Sequence, residues 1–268
     1  MSAISVVLMG GLGNQLFQVY ALVSAAMSQN KVFVFPTKIP GRRQRHYTNT
    51  IFHGLGPFFK DIHYRVGYNE PHYHYSPIPD IEPGTSIYGY FQSYRYFQDY
   101  LPVINSILQI DGQRTAMRQK VTSNGIAVHF RVGDYMDIQD CHPVLTQTYY
   151  ENALNHILKL RPEIQAVTYF YERDDEFHVL EIVNYLKLKF KNLNFSPSPD
   201  NLEDYEELLA MSLYSHNIIA NSSFSWWAAL YNDNPDKVVC YPDTWFGPKL
   251  PHDTKDLCPP DWHEISIR

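Results

Sequence analysis

A short apolar run, Asn217-Ile218-Ile219-Ala220, passes without a spacer into Asn221-Ser222-Ser223-Phe224-Ser225 and then into Trp226-Trp227-Ala228-Ala229. This is the pattern of a buried strand turning directly into a buried helix. It commits the chain to an α/β architecture in which strands and helices alternate. The turn carries the chemical interest. The first N–H groups of a helix have no partner inside it and point outward. With the helix dipole they favour phosphate or another anion, and serines there add donors with little bulk. The plain alternative is an N-cap ahead of a helix buried for packing alone.

The same alternation runs through the chain. Ser5–Met9 is a continuous apolar run and Gly10-Gly11-Leu12-Gly13 a turn. Leu16, Tyr20, Val23 and Met27 recur at helical spacing, and Lys31–Phe35 is a second strand ended by Pro36. That is a βαβ unit, which favours a parallel sheet. Residues 37–84 read as loops with short helices, Ser86–Phe91 as a strand, and Tyr94–Leu108 as a helix interrupted near Pro102. The polar stretch Gln109–Asn124 reads as a linker. Beyond it, strands are expected at Ile126–Phe130, Val167–Tyr171, Leu193–Phe195, Asn217–Ala220 and Val238–Tyr241, with helical patterns between them. The expected fold is therefore α/β: two Rossmann-like, doubly wound domains, residues 1–117 and 118–268, facing each other across a cleft. Ligands in such sheets bind at the C-terminal ends of the strands.

Composition narrows the function classes. The 268 residues suit one large or two small domains, and the net charge of -6 argues against a nucleic-acid partner. Cys141, Cys240 and Cys258 are odd in number and lack metal-ligand spacing, which fits free thiols in a reducing compartment. The first apolar run, Ile4–Met9, is too short to span a membrane and has no basic leader. A soluble, cytoplasmic protein is expected. Oligomeric state is not legible.

Three segments carry candidate chemistry. In the first, Gly10 to Gln15, glycines let backbone approach a ligand closely. A dinucleotide fingerprint fails there: Leu16 stands where the third glycine belongs, and the second strand ends in Phe35-Pro36 where a ribose-binding acid is expected. Gly11, Gly13, Asn14 and Gln15 are thus candidate contacts for another ligand, with a polar-capped turn as the alternative. The second segment is His129-Phe130-Arg131-Val132-Gly133-Asp134-Tyr135. Alternation puts His129 and Arg131 on one side of a strand. Arg131 emerges at its C-terminal end, where a guanidinium can grip a diphosphate through parallel hydrogen bonds. Asp134 either orients Arg131 or reaches the cleft; a local Arg–Asp pair holding the turn is the alternative. The third segment, Glu172-Arg173-Asp174-Asp175, reads as acids stabilising a helix start or as ribose or base contacts. Glu203, Asp204, Glu206 and Glu207 invite the same two readings.

No Asp-x-Asp triplet occurs, so arginine and helix N-termini, rather than a carboxylate-held metal, are expected to neutralise a leaving group. His72-Tyr73-His74 has no third metal ligand nearby in sequence, and Arg42, Arg43, Arg45 and His46 read as a solvated basic loop.

In this order the motifs resemble the α-1,2-fucosyltransferase family that uses GDP-fucose. The resemblance rests on Gly10-Gly11-Leu12-Gly13-Asn14-Gln15-Leu16-Phe17-Gln18, Gly89-Tyr90-Phe91-Gln92-Ser93 with Tyr96-Phe97, His129-x-Arg131-x-Gly133-Asp134-Tyr135, Asn221 to Trp227, and Pro242 with Trp245-Phe246. It implies a GT-B fold, an inverting transfer with no required metal or other cofactor, and a donor held mainly by the second domain. It also implies that Arg131 grips the diphosphate, that His129 lies near guanine, and that Ser223, Phe224 and Ser225 line the phosphate and fucose site beside Asn221 and Ser222. Asp174 and Asp204 carry over as nucleotide contacts. Arg131, Asp134 as candidate base, and Asn14 form the catalytic set. The acceptor implied is a glycan, through the 2-hydroxyl of a terminal β-galactoside. The sequence departs from the family where Val132 replaces a frequent second basic residue and Arg173 a usual serine. The lack of a membrane anchor looks like a bacterial or viral member. The rivals are a transferase for another nucleotide sugar or acceptor position, a dinucleotide oxidoreductase, and a sugar-binding module without catalysis.

Overall fold

Burial on both faces is what makes the N-terminal run a strand. Ile4, Ser5 and Val6 of β1 (Ala3–Val6) are all inaccessible to solvent or nearly so. In the computed structural model, which describes residues 3–38, 47–121 and 124–268, β1 leads through Gly10-Gly11 into α1 (Leu12–Ser28). This helix is buried over most of its surface, including Leu16, Phe17, Tyr20 and Val23, as expected of an apolar helix inside a core. β2 (Val32–Phe33) pairs with β1, and two short strands, β3 (Phe35–Pro36) and β4 (Phe59–Lys60), pair with each other. With β5 (Arg65–Asn69) and β6 (Thr85–Tyr88), the first sheet has the order β2-β1-β6-β5 and is parallel throughout. The segment expected to be loops and short helices thus contains strands. Periodicity misses β5 because it is an edge strand with mostly exposed side chains, so no buried alternation announces it.

Two other expectations need correction. Pro102 does not interrupt a long helix. It lies in the first turn of α2 (Leu101–Leu108), where its missing N–H has no helical partner to lose, and Tyr94–Tyr96 is a separate 3₁₀ turn. The expected linker is largely helical, as α3 (Ile110–Arg118). Ile110, Arg114 and Met117 share its buried stripe. The stripe is hard to read because a charged residue occupies one position of it. Arg114 tolerates burial because its guanidinium donates to Ser212 Oγ (3.1 Å), the Ser212 carbonyl (3.3 Å) and the Asp233 carboxylate (2.6 Å).

The chain divides into two units: residues up to Gln113 with His252–Pro259, and Arg114–Pro251 with Pro260–Arg268. The second contains β7 (Ile126–His129), α4 (Gln147–Leu160), β8 (Ala166–Phe170), α5 (Glu176–Lys189), β9 (Asn194–Pro197), α6 (Asp204–Met211), β10 (His216–Ile218), α7 (Ser223–Tyr231), β11 (Val239–Pro242) and β12 (His263–Ile265). Its six strands are parallel in the order β12-β11-β10-β7-β8-β9. Counted from β7 and read from the β9 edge, this is the doubly wound order 3-2-1-4-5-6. β12 is a sixth strand beside the five expected, too short and too polar to signal itself. Ile126, Val128, Leu154, Ile157, Val179 and Val183 pack the core between sheet and helices. The strand order reverses between β7 and β10, so the crevice outside their C-terminal ends is where such a sheet binds ligands.

Replacing Arg114 with alanine leaves its acceptors unmatched inside the second unit. Arg114→Ala should lose about 2 kcal/mol of stability, the scale of hydrogen bonds to a charged group, measured by urea denaturation. An unchanged midpoint contradicts the structural role given to this side chain.

Candidate functional site

The backbone past β7 fixes the first half of the site. Phe130 N–H bonds the Phe170 carbonyl at 2.9 Å, extending the sheet by one residue before the chain turns. Gly133 has φ +30°, and its N–H donates to both oxygens of Asp175, at 2.9 and 3.0 Å. The turn therefore presents Arg131 outward at the strand end. Its guanidinium pairs with Asp134 and with Glu172, and lies 5.1 Å from the centroid of the Tyr135 ring, a cation–π contact. Burial works against its charge, but the Glu172 and Asp134 carboxylates outweigh it and raise the pKa further. Arg131 is thus a permanent cation whose direction is set by two acids and an aromatic face.

His129 lies one alternation back on the same side of β7. It is buried, its ring is 5.5 Å from that of Phe224, and its Nδ1 has no hydrogen-bond partner. Burial, with the Arg131 charge second, lowers its pKa to about 3. The imidazole is neutral near pH 7 and a weak base, which suits it to hydrogen bonding.

The turn after β10 supplies the other half. Ser222 caps α7, its Oγ accepting the Phe224 N–H at 3.4 Å, and Ser225 Oγ donates to the Ser222 carbonyl at 3.3 Å. Ser225 is fully buried and Ser223 partly so. Asn221 donates to the carbonyls of Pro143 (3.0 Å) and Trp245 (3.2 Å), while its Oδ1 is buried without a partner. Tyr135 Oη donates to the Asn221 carbonyl at 3.1 Å, joining the two turns. Behind them Trp226 and Trp227 are fully buried, and Trp226 packs on Trp262. The helix start is thus held rigidly with its N–H end at the strand-order reversal.

The structure brings His129, Arg131, Asp134, Asn221, Ser222 and Phe224 together at the ends of β7 and β10. Asp174 is exposed in the turn after β8. Asp204 opens α6, its carboxylate accepting the Tyr205 N–H at 2.8 Å. Glu203 and Glu206 form a capping box on that helix. In Glu172-Arg173-Asp174-Asp175, the residues tied to the Arg131 turn are Glu172 and Asp175, one turn apart. Asp175 bonds Gly133 instead of capping α5 with its side chain.

In the first unit three strand ends are cross-linked. Gly10 has φ +77°, and a Cβ there would lie 2.4 Å from Asn14 Nδ2. Gly11 caps α1 with extended backbone, Gly13 is buried in its first turn, and Gln15 donates to the Gly10 carbonyl at 3.0 Å. Asn14 Oδ1 accepts from Gln92 at 2.7 Å, and Gln92 accepts from the Tyr73 hydroxyl. Glu70, just past β5, accepts the N–H groups of Tyr90 (2.8 Å) and Phe91 (2.9 Å). His72 stacks on His74, and His74 lies 3.5 Å from Asp253. Among the described residues no group of three or more His, Cys, Asp or Glu is arranged to hold a metal ion, and no helix is long and apolar enough to cross a membrane. Arg42, Arg43, Arg45 and His46 lie outside the described residues.

The family model for glycosyl transferase family 11 matches residues 83–266. Two relatives from Escherichia coli are similar to this chain. An alpha-1,2-colitosyltransferase is 24% identical over 306 aligned residues, covering 99% of each chain. The O-antigen biosynthesis glycosyltransferase WbnK is 29% identical over 181 residues, covering 62% of this chain and 57% of its own.

One carboxylate beside the site titrates abnormally. Burial, then the like charges of Asp204 and Glu172, raise Glu207 from 4.5 to about 7, with Arg173 opposing. Between those values the folded protein holds a proton that the unfolded chain has released, so stability falls as pH rises from about 4.5 to 7 and stays lowered above. Glu207→Gln should therefore raise the melting temperature over wild type at pH 8 and not at pH 4. Equal differences at both pH values contradict this.

Proposed function

This chain belongs to glycosyltransferase family 11, and on that premise we propose that it transfers L-fucose from GDP-β-L-fucose to a glycan hydroxyl, with inversion, giving an α-1,2 linkage. The acceptor proposed is the 2-hydroxyl of a terminal β-galactoside. One observation carries the reading: a permanent guanidinium after β7 and a rigid helix start after β10 stand on neighbouring strands at the order reversal of a doubly wound sheet, linked through Tyr135, a combination suited to a diphosphate. The buried, unpartnered Nδ1 of His129 and Oδ1 of Asn221 support a polar ligand there.

The chemistry follows from charge. The acceptor oxygen attacks the anomeric carbon from the face opposite GDP. The bond from that carbon to the β-phosphate oxygen breaks, and negative charge builds on the phosphate. Arg131 and the N–H end of α7 stabilise it, which makes a metal unnecessary in this reading. Neutral His129 hydrogen-bonds the guanine, and Asp174 and Asp204 contribute nucleotide contacts. Asp134 takes the acceptor proton, and Asn14 and Gln15 hold sugar hydroxyls. The reading extends to a GT-B arrangement, with residues 1–117 serving the acceptor and 118–268 the donor.

A second reading keeps the linkage and changes the sugar. The likeness to the alpha-1,2-colitosyltransferase spans 99% of both chains, which favours colitose as the alternative. Thermal shift with GDP, UDP and CMP in parallel tests the nucleotide. Stabilisation by GDP alone is expected, and stabilisation by UDP alone overturns the donor assignment. Turnover with the fucosyl and colitosyl nucleotides then decides between the sugars.

Arg131→Ala should lower turnover by about 10²–10³, the scale of one preorganised oxyanion donor, with the fold retained by circular dichroism. Near-normal product release contradicts its role. Asp134→Asn should abolish the acidic limb of the pH–rate profile if Asp134 is the base; a profile merely scaled down assigns it to positioning Arg131.

A further inference from the structure

The geometry points to Glu172 as the residue that reads the ribose of the donor nucleotide, exchanging Arg131 for the 2′- and 3′-hydroxyls when a diphosphate takes the guanidinium. This rests on the nucleoside diphosphate reading above and adds a specificity residue to it.

Position is the first argument. Glu172 lies two residues beyond β8, the second strand of the doubly wound order. In dinucleotide-binding sheets of this strand order an acid at that strand end meets a ribose hydroxyl. The first unit has Phe35-Pro36 after its own second strand; the second unit has an acid there.

Availability is the second argument. One oxygen of Glu172 holds Arg131, and the side chain is 62% exposed. Its other oxygen lies over Gly133, 3.7 Å from where a Cβ would stand, so no side chain at that position blocks its movement. The neighbouring acid Asp175 is committed through both oxygens to the Gly133 N–H. Arg173, the adjacent cation, pairs with Asp200 at 2.9 Å.

Charge supplies the reason to exchange. A diphosphate on Arg131 brings negative charge against Glu172, which already acts electrostatically on Glu207. A carboxylate displaced from its cation needs donors, and a cis-diol offers two hydroxyls to its two oxygens. Asp134 stays as the second partner of Arg131 through Oδ1, which leaves its other oxygen for the acceptor proton.

The test is calorimetric titration of wild type and Glu172→Ala with GDP, 2′,3′-dideoxy-GDP and inorganic pyrophosphate. Wild type should prefer GDP over the dideoxy compound by about 10-fold, the scale of one hydrogen bond to a charged group. The variant should bind the two within about twofold, yet bind pyrophosphate at least as tightly as wild type, because a competing carboxylate is gone while Asp134 and Tyr135 still aim Arg131. A preference retained in the variant, or absent from wild type that binds GDP, overturns the assignment alone. Weakened pyrophosphate binding by the variant also overturns it, by giving Glu172 a supporting role only. Wild type that does not bind GDP overturns the nucleotide reading and this inference together.

Discussion

Everything proposed for this protein depends on one guanidinium held at the seam of a parallel sheet. Arg131 stands where β7 ends beside β10, between the carboxylates of Asp134 and Glu172 and against Tyr135. The two acids are 67% and 62% exposed, and exposed ion pairs contribute only about 0.2–1 kcal/mol each. They therefore do little for the fold. Their effect is on direction: they keep a long, flexible side chain aimed from the strand end. The Glu172 bond is weak enough to yield to a doubly charged diphosphate, which returns stronger, paired hydrogen bonds.

The sheet makes that arrangement possible. In a doubly wound order, strand neighbours at the reversal send their connections to opposite sides, leaving a crevice between the turns. The turn after β7 brings a side-chain cation, and the turn after β10 brings backbone donors. The Tyr135 hydroxyl on the Asn221 carbonyl ties the two turns. Trp226 and Trp227 hold the helix start by burial, so the backbone donors need no ordering when an anion arrives.

Much of this was legible in the sequence because the signals were local. The strand-to-helix passage at Asn217–Ala229 and the alternation of His129 with Arg131 each need only a few residues to read. Each missed element has its own physical cause. β5 is an edge strand without a buried face, α3 hides a satisfied arginine in its apolar stripe, and β12 has three residues. The Glu172 and Asp175 contacts depend on which strands lie side by side, and β7 beside β8 is a tertiary fact that spacing along the chain does not contain. The family is legible for the opposite reason: its motifs are contiguous, and the family match covers residues 83–266.

The most direct measurement is a crystal structure of the protein with GDP. The account predicts both phosphates at the ends of β7 and β10, with their oxygens within about 3 Å of the Arg131 guanidinium and of N–H groups at the start of α7. GDP bound elsewhere, with Arg131 still paired to Glu172, contradicts it.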